Sequence, residues 1–318
     1  MISRISCLLI TILLMSVVPI LVTADEKALS NDQQVAPPAL PEKLQKLLKQ
    51  ATPLNPQETL FLDRPAKAIY LKATVALQEG LLEMLCCPEQ TKEHESILAT
   101  NCSATPIHTA LLALGAQSGE PVSFDPVFKA PTGEVLAITI LWKADDGAVR
   151  EQDSREWIQT VTRRYFIAPL ASLPAGLTLP EDSDLMYDKT NQELLHFGMM
   201  STEDQKKLLT LSNDPAFQKA IQDLQKSSQP SPLDADWVFA GSIIDVDPTT
   251  GQKRYLADGG DLICVANFPS AMIDIAIKSS ASDGQRGYEA NPQAVPVPGT
   301  PVVIKIQCQK DVTTKQGN

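Results

Sequence analysis

The sequence predicts an α+β fold, in which a mostly antiparallel sheet packs with one principal helix and carries a helical insertion. Three observations lead there. β-rich segments recur at 67–75, 135–143 and 301–307, and the first sets Ile69, Leu71, Ala73 and Val75 on one face. One segment, 105–115, carries helix signals at both ends: Thr105 to cap, Pro106 in the first turn and Gly115 at the stop. Between the β-rich parts, residues 203–211 and 215–226 read as helices, with Leu208, Leu209, Phe217, Ile221 and Leu224 available for packing.

Taken in order, residues 1–24 read as an export leader. Arg4 gives a positive start, residues 7–22 are an almost unbroken apolar run, and Val22-Thr23-Ala24 offers small residues ahead of a cut before Asp25. The run is long for a leader, so an uncleaved N-terminal anchor is the alternative. No later stretch is long and apolar enough to span a bilayer. The expected location is therefore the periplasm or cell envelope.

Residues 25–58 form a polar tether with a short amphipathic helix at 41–50, where Leu44, Leu47 and Leu48 share a face. The folded body then runs in two parts, 59–164 and 233–308, on either side of the insertion at 165–232, and residues 309–318 make a disordered polar tail. Within the first part, 81–87 is a strand ended by Pro88, and residues 91–98 (TKEHESIL) form a further strand rather than a helix start. Residues 105–115 bury Ile107, Ala110, Leu111 and Leu114. Asp145-Asp146-Gly147 is a hairpin turn after the strand at 135–143, with a short return at 149–152. In the second part, 237–246 is a strand with a break at Gly241-Ser242, 253–257 its hairpin partner, and 262–266 a buried strand.

Composition excludes some function classes. The chain has 27 Lys and Arg against 38 Asp and Glu, a net charge of −11, and becomes more acidic once the leader with Arg4 is removed. Nucleic-acid binding needs a cationic footprint that this balance does not supply.

The densest group of reactive side chains is TKEHESIL. His94, Glu93 and Glu95, with His108 on the helix that follows, are the candidate catalytic groups, and His94 with His108 the candidate metal ligands, since imidazole and carboxylate suit a divalent ion such as zinc. Strand alternation works against one site using them all, because it turns both glutamates away from His94. A hydrogen-bonded polar network holding strand to helix is the plainer reading, and no cofactor is predicted. Asp258 and Asp261, in the acidic turn Asp258-Gly259-Gly260-Asp261, are candidate ligand-binding carboxylates, although a simple turn explains them. Trp237, with Trp142 and Trp157, would suit a sugar or small-ligand groove or, equally, a core. Ser242 lacks the glycine spacing of a nucleophile elbow.

Five cysteines follow the leader: Cys86, Cys87, Cys102, Cys264 and Cys308. In an exported chain they are disulfide candidates, at most two bridges with one thiol left over. Buried thiols, or a metal-binding or catalytic thiol, are the alternatives.

Several strings resemble the YdjY-like domain family of exported bacterial proteins: EGLLEMLCC at 79–87, TKEHESIL at 91–98, HTALLALGA at 108–116, WVFAGS at 237–242 and ADGGDLICVANFPSAMID at 257–274. The resemblance covers about 60–157 and 236–306, and the family's shorter connection between Trp157 and Trp237 implies that 165–232 is an insertion. It implies a compact α+β domain and places Cys87 and Cys264 in family motifs, leaving Cys86, Cys102 and Cys308 as additions and Cys86–Cys102 as an additional bridge. The family has no assigned activity, so it supplies no catalytic residue. The function expected is that of a non-enzymatic binding or interaction module, for an unknown protein or small ligand; the alternative is a metal- or thiol-dependent enzyme centred on His94 and His108.

Overall fold

The computed structural model describes residues 39–161, 165–180, 183–281 and 287–310. The expected leader, residues 25–38 of the tether and the tail from 311 lie outside the described residues. The first elements are α1 (Glu42–Lys49), β1 (Thr52–Pro53), β2 (Leu60–Asp63), β3 (Ala68–Val75), β4 (Met84–Pro88), β5 (Ser96–Thr100) and α2 (Ala104–Leu114). There follow β6 (Val135–Lys143), β7 (Val149–Asp153), β8 (Ile158–Thr160), β9 (Tyr165–Pro169), β10 (Leu185–Asp188), β11 (Glu193–Phe197), α3 (Thr202–Leu209) and α4 (Pro215–Ser228). The chain closes with β12 (Trp237–Val238), β13 (Ile244–Val246), β14 (Lys253–Tyr255), β15 (Ile263–Cys264), β16 (Asp274–Ile275), β17 (Tyr288–Ala290) and β18 (Pro301–Cys308).

The main sheet runs β15-β4-β5-β3-β18-β6-β12-β16, with β2 also on β3 and β7 on β6. Within it only β4 and β5 pair in parallel. Its two ends come together. A parallel bridge joins Ile263 to Ile273, the Cys264 amide donates to the Ile273 carbonyl at 2.9 Å, and the Ile273 amide donates to the Leu262 carbonyl at 3.1 Å. The sheet is thereby a nearly closed barrel, which leaves few unpaired strand edges.

Alternation decides what each strand buries. On β3, Ile69, Leu71, Ala73 and Val75 enter the main core, as do Ile138 and Ile140 of β6 and Val302, Ile304 and Ile306 of β18. The opposite faces supply Tyr70, Leu141 and Val303, which α1 covers with Leu44 and Leu48. Burying these two leucines favours folding by about 1.5–3 kcal/mol each before ordering costs. Helix α2 packs against β2 and β3 and ends at Gly115, whose φ of 94° is the left-handed stop expected of that residue. Four helices are described, and the fold is mixed α and β with strands predominating.

Residues 165–228 hold a second core, in which Phe166, Leu185, Leu194, Phe217, Ile221 and Leu224 meet. The segment is not simply helical. The expected helices are present as α3 and α4, the second capped by Asp214 accepting from the Ala216 and Phe217 amides at 2.9 and 3.0 Å. They pack on a three-stranded antiparallel sheet, β10-β11-β9, because the alternating Phe166 and Ala168 of β9 and Leu194 and His196 of β11 form a buried face.

Two further expectations change. The strand foreseen over 237–246 divides into β12 and β13, which join different sheets, because Gly241 and Ser242 both take positive φ, 87° and 59°. Residues 309 and 310, expected in the tail, fall within the described residues, where Lys310 Nζ lies 2.9 Å from Glu134 Oε1.

The approach of β6 to β12 constrains one glycine. Gly133 has φ 141°, and a Cβ there would lie 2.1 Å from the Phe239 carbonyl oxygen. Gly133→Ala should lower stability by about 2 kcal/mol or more. Urea denaturation measures this, and an unchanged midpoint would contradict the packing described.

Candidate functional site

Residues 91–98 are a turn followed by a strand, not one strand. Glu93–Glu95 form a 3₁₀ turn and β5 begins at Ser96. The physical cause is local. Gln90 takes φ 64° and donates its amide to the Glu93 carboxylate, while the Thr91 hydroxyl donates to the Pro88 carbonyl at 2.6 Å and the Glu95 amide to the Lys92 carbonyl at 3.1 Å. Glu93 is thus a turn-forming side chain. His94 projects outward, 76% exposed, with Nε2 3.8 Å from the carboxylate of buried Glu95.

His108 has a different setting. Its ring packs edge-on against Phe239 and Tyr255, and its Nδ1 lies 2.8 Å from the Tyr255 hydroxyl. That hydroxyl donates to the Gly241 carbonyl at 2.9 Å, so it must accept from the imidazole. His108 therefore carries its proton on Nδ1, and burial lowers its pKa, keeping it neutral. The structure ties His108 to the β14 segment and leaves His94 in solvent. Among the described residues no three His, Cys, Asp or Glu side chains converge as metal ligands.

Asp258 serves a helix terminus. Helix α2 starts one residue earlier than its sequence signals, after Ser103, whose side chain makes no capping bond. The cap comes from far along the chain: Asp258 accepts from the Thr105 amide at 3.0 Å and from the Thr105 hydroxyl at 2.7 Å. A carboxylate there satisfies an orphan donor and complements the helix dipole.

Asp261 belongs to a buried polar group beneath the 91–95 turn. Lys92 Nζ lies 2.9 Å from Asp261 Oδ1, 3.7 Å from Glu83 Oε2 and 4.6 Å from the centre of the Phe268 ring. Burial works against the lysine's charge, but the hydrogen bond and charge of Asp261 outweigh it and hold the pKa above its ordinary value. Asp261 also accepts from the Ser270 hydroxyl. Nearby, fully buried Asp274 accepts from Asn267 Nδ2 at 3.0 Å and from the Ile275 amide at 2.8 Å, both through Oδ1. Its Oδ2 is buried with no hydrogen-bond partner among the described residues. Burial pushes the Asp274 carboxyl up to about 7, against the bonds from Asn267 and the backbone that favour its charged form.

Sequence reasoning passed over Lys92, Tyr255 and Asp274. The signal for Asp274 was present: it is the one charged residue in the apolar run at 271–277 (AMIDIAI), where a carboxyl must be buried. Trp237 is a core residue, 2% exposed, donating its indole N–H to the Ser154 hydroxyl at 3.1 Å. It lines no groove.

The expected disulfides are not present. No bridge joins Cys86, Cys87, Cys102, Cys264 or Cys308, all of which are buried. Cys86 instead donates to the Cys87 carbonyl at 3.8 Å, and Cys102 accepts from Asn55 Nδ2 at 3.8 Å. Burial raises the thiol pKa values of Cys86, Cys87 and Cys264, and that of Cys102 to about 11. These four are protonated near neutral pH and therefore poor nucleophiles. The carboxylates, lysine and imidazole described above are engaged in holding the 91–95 turn, α2 and the 255–275 segment together.

Comparison with known proteins finds a likeness for part of the chain. Residues 60–166 match the family model of the YdjY domain, a family of uncertain function. No curated protein and no solved structure matches the chain.

Two outcomes follow from this geometry. Asp258→Ala should cost about 1 kcal/mol through loss of the α2 cap, read as a shift in the urea midpoint with the circular dichroism spectrum retained; no shift would mean that Asp258 does not cap the helix. For Asp274, an unfolded aspartate ionises near 3.9, roughly three pH units below the folded group. Between these values the unfolded chain is ionised and the folded one is not, so the carboxyl costs stability increasingly as pH rises from 4 to 7. Asp274→Asn removes this loss, and the difference between variant and parent should move in the variant's favour by roughly 4 kcal/mol from pH 4 to 8. Denaturation curves across that range test it, and a difference independent of pH would refute it.

Proposed function

We propose that this chain is an exported interaction module, docking a partner protein through the solvent-facing side of the three-stranded sheet in the 165–232 insertion. The observation that carries this reading is the apolar character of that side. Tyr165 and Ile167 of β9, Met186 of β10 and Phe197 of β11 are 38–50% exposed, although their strands already bury a full apolar face beneath them. Cross-strand pairing makes them neighbours: Tyr165 is opposite Phe197, Ile167 opposite Leu195, and Leu195 opposite Met186. Met199, two residues beyond Phe197, is 55% exposed.

Strands apolar on both faces suit a sheet covered on both faces, and contiguous exposed apolar surface of this kind marks contact sites. The leader-like N-terminus supports export. The pairing of polar groups around the 91–95 turn supports a binding role over a catalytic one, since two of the candidate acids and bases, Glu93 and His108, already serve structural bonds.

Native mass spectrometry of the full chain, released gently from producing cells, tests the reading. The expected result is an assembly heavier than the monomer that falls to monomer with Ile167→Lys and Phe197→Lys together. Both side chains are exposed, so folding should be retained. A monomeric parent protein, or an assembly indifferent to both substitutions, would sink the proposal.

A further inference from the structure

A second surface, unrelated to the apolar sheet, lies between β7 and residues 291–294. It is a cleft of about 540 Å³ lined by Trp142, Arg150, Glu151, Gln152, Asn291 and Gln293. That volume is in the range of small-molecule sites. We propose that this cleft binds a neutral, hydroxyl-rich ligand, a short saccharide.

The charges in the cleft are already balanced. Arg150 donates to Asp146 at 3.0 Å, and Glu151 accepts from Lys305 at 3.2 Å. An ionic ligand would have to displace one of these pairs, whereas a neutral one need not. The remaining polar groups are primary amides, which donate and accept at once, as sugar hydroxyls do.

Two of the amides are held in place. Gln152 Oε1 accepts from the buried Trp157 indole at 3.2 Å, which fixes the amide plane and leaves its two N–H donors to be satisfied from elsewhere. The Asn291 side chain donates to the Glu156 carbonyl at 3.0 Å and accepts from the Gln293 backbone N–H at 3.1 Å. The floor of the cleft is rigid: Trp142, buried but for its rim, packs edge-on against Trp157 with ring centres 5.2 Å apart. Oriented amides above such a floor give hydrogen bonds to the hydroxyls of a sugar.

The test titrates the full chain with maltose, cellobiose and diacetylchitobiose, and with glucuronate and glucosamine as charged probes, following calorimetric heat and tryptophan emission. At least one neutral disaccharide should bind with a change in emission, and Gln152→Ala and Gln293→Ala should each weaken it about tenfold, the loss of one hydrogen bond. Gln293 is exposed, so its variant should stay folded if Gln152→Ala does not. Absence of binding by every neutral probe up to about 50 mM, tighter binding of a charged probe, or binding unchanged in Gln293→Ala would overturn the proposal.

Discussion

Closure of the main sheet governs the rest of the structure. Two short strands, β15 and β16, meet at the Ile263–Ile273 bridge and bring the ends of an eight-strand path together. Strands of two residues add little pairing energy, so they need support from both sides. The interior supplies part of it, through Leu262, Ile263, Val265, Met272 and Ile273, all buried in the main core. The remainder is polar. Lys92, from the turn after β4, reaches Asp261 just ahead of β15, and Ser270, just ahead of β16, reaches the same carboxylate. One aspartate therefore joins three segments at the seam, in a setting dry enough for its bonds to count for more than they would at the surface.

The same logic covers Asp258 and Tyr255. Residues 255–261 touch α2 at one end, through Thr105 and His108, and the 91–95 turn at the other. Every polar side chain they present is spent on tying the helix and turn to the seam. Chemistry that looks reactive in the sequence is here the means by which short elements hold their places. The recognition proposed above falls instead on surfaces: an apolar sheet face in one region and an amide-lined cleft in another.

Legibility in the sequence followed distance along the chain. The strand at 135–143 and the helix at 215–226 were readable because each is specified by its own side chains, as Leu136, Ile138 and Ile140, or Phe217, Ile221 and Leu224, which all turn inward. The 91–98 stretch misled because a single side-chain bond, from Glu93 to the Gln90 amide, converts its first half to a turn without disturbing its alternating pattern. The cap on α2 was invisible for a different reason: Asp258 is separated from Thr105 by 153 positions, and no local rule connects them. The three-stranded sheet beneath α3 and α4 was overlooked because strong helical periodicities stood beside short strands, and the helices dominated the reading.

The place of β18 has a consequence for how the fold is reached. It lies between β3 and β6, pairing with both over most of its length, and those two do not pair with one another. Strand spacing makes the slot between them roughly 10 Å wide. The segment that fills it follows every other described strand, more than 200 residues after β3 begins. Synthesis from the N-terminus thus delivers two sheet fragments before the piece that unites them. Such long-range pairing makes folding slow, and it keeps the barrel from committing to its final form until β18 has been made.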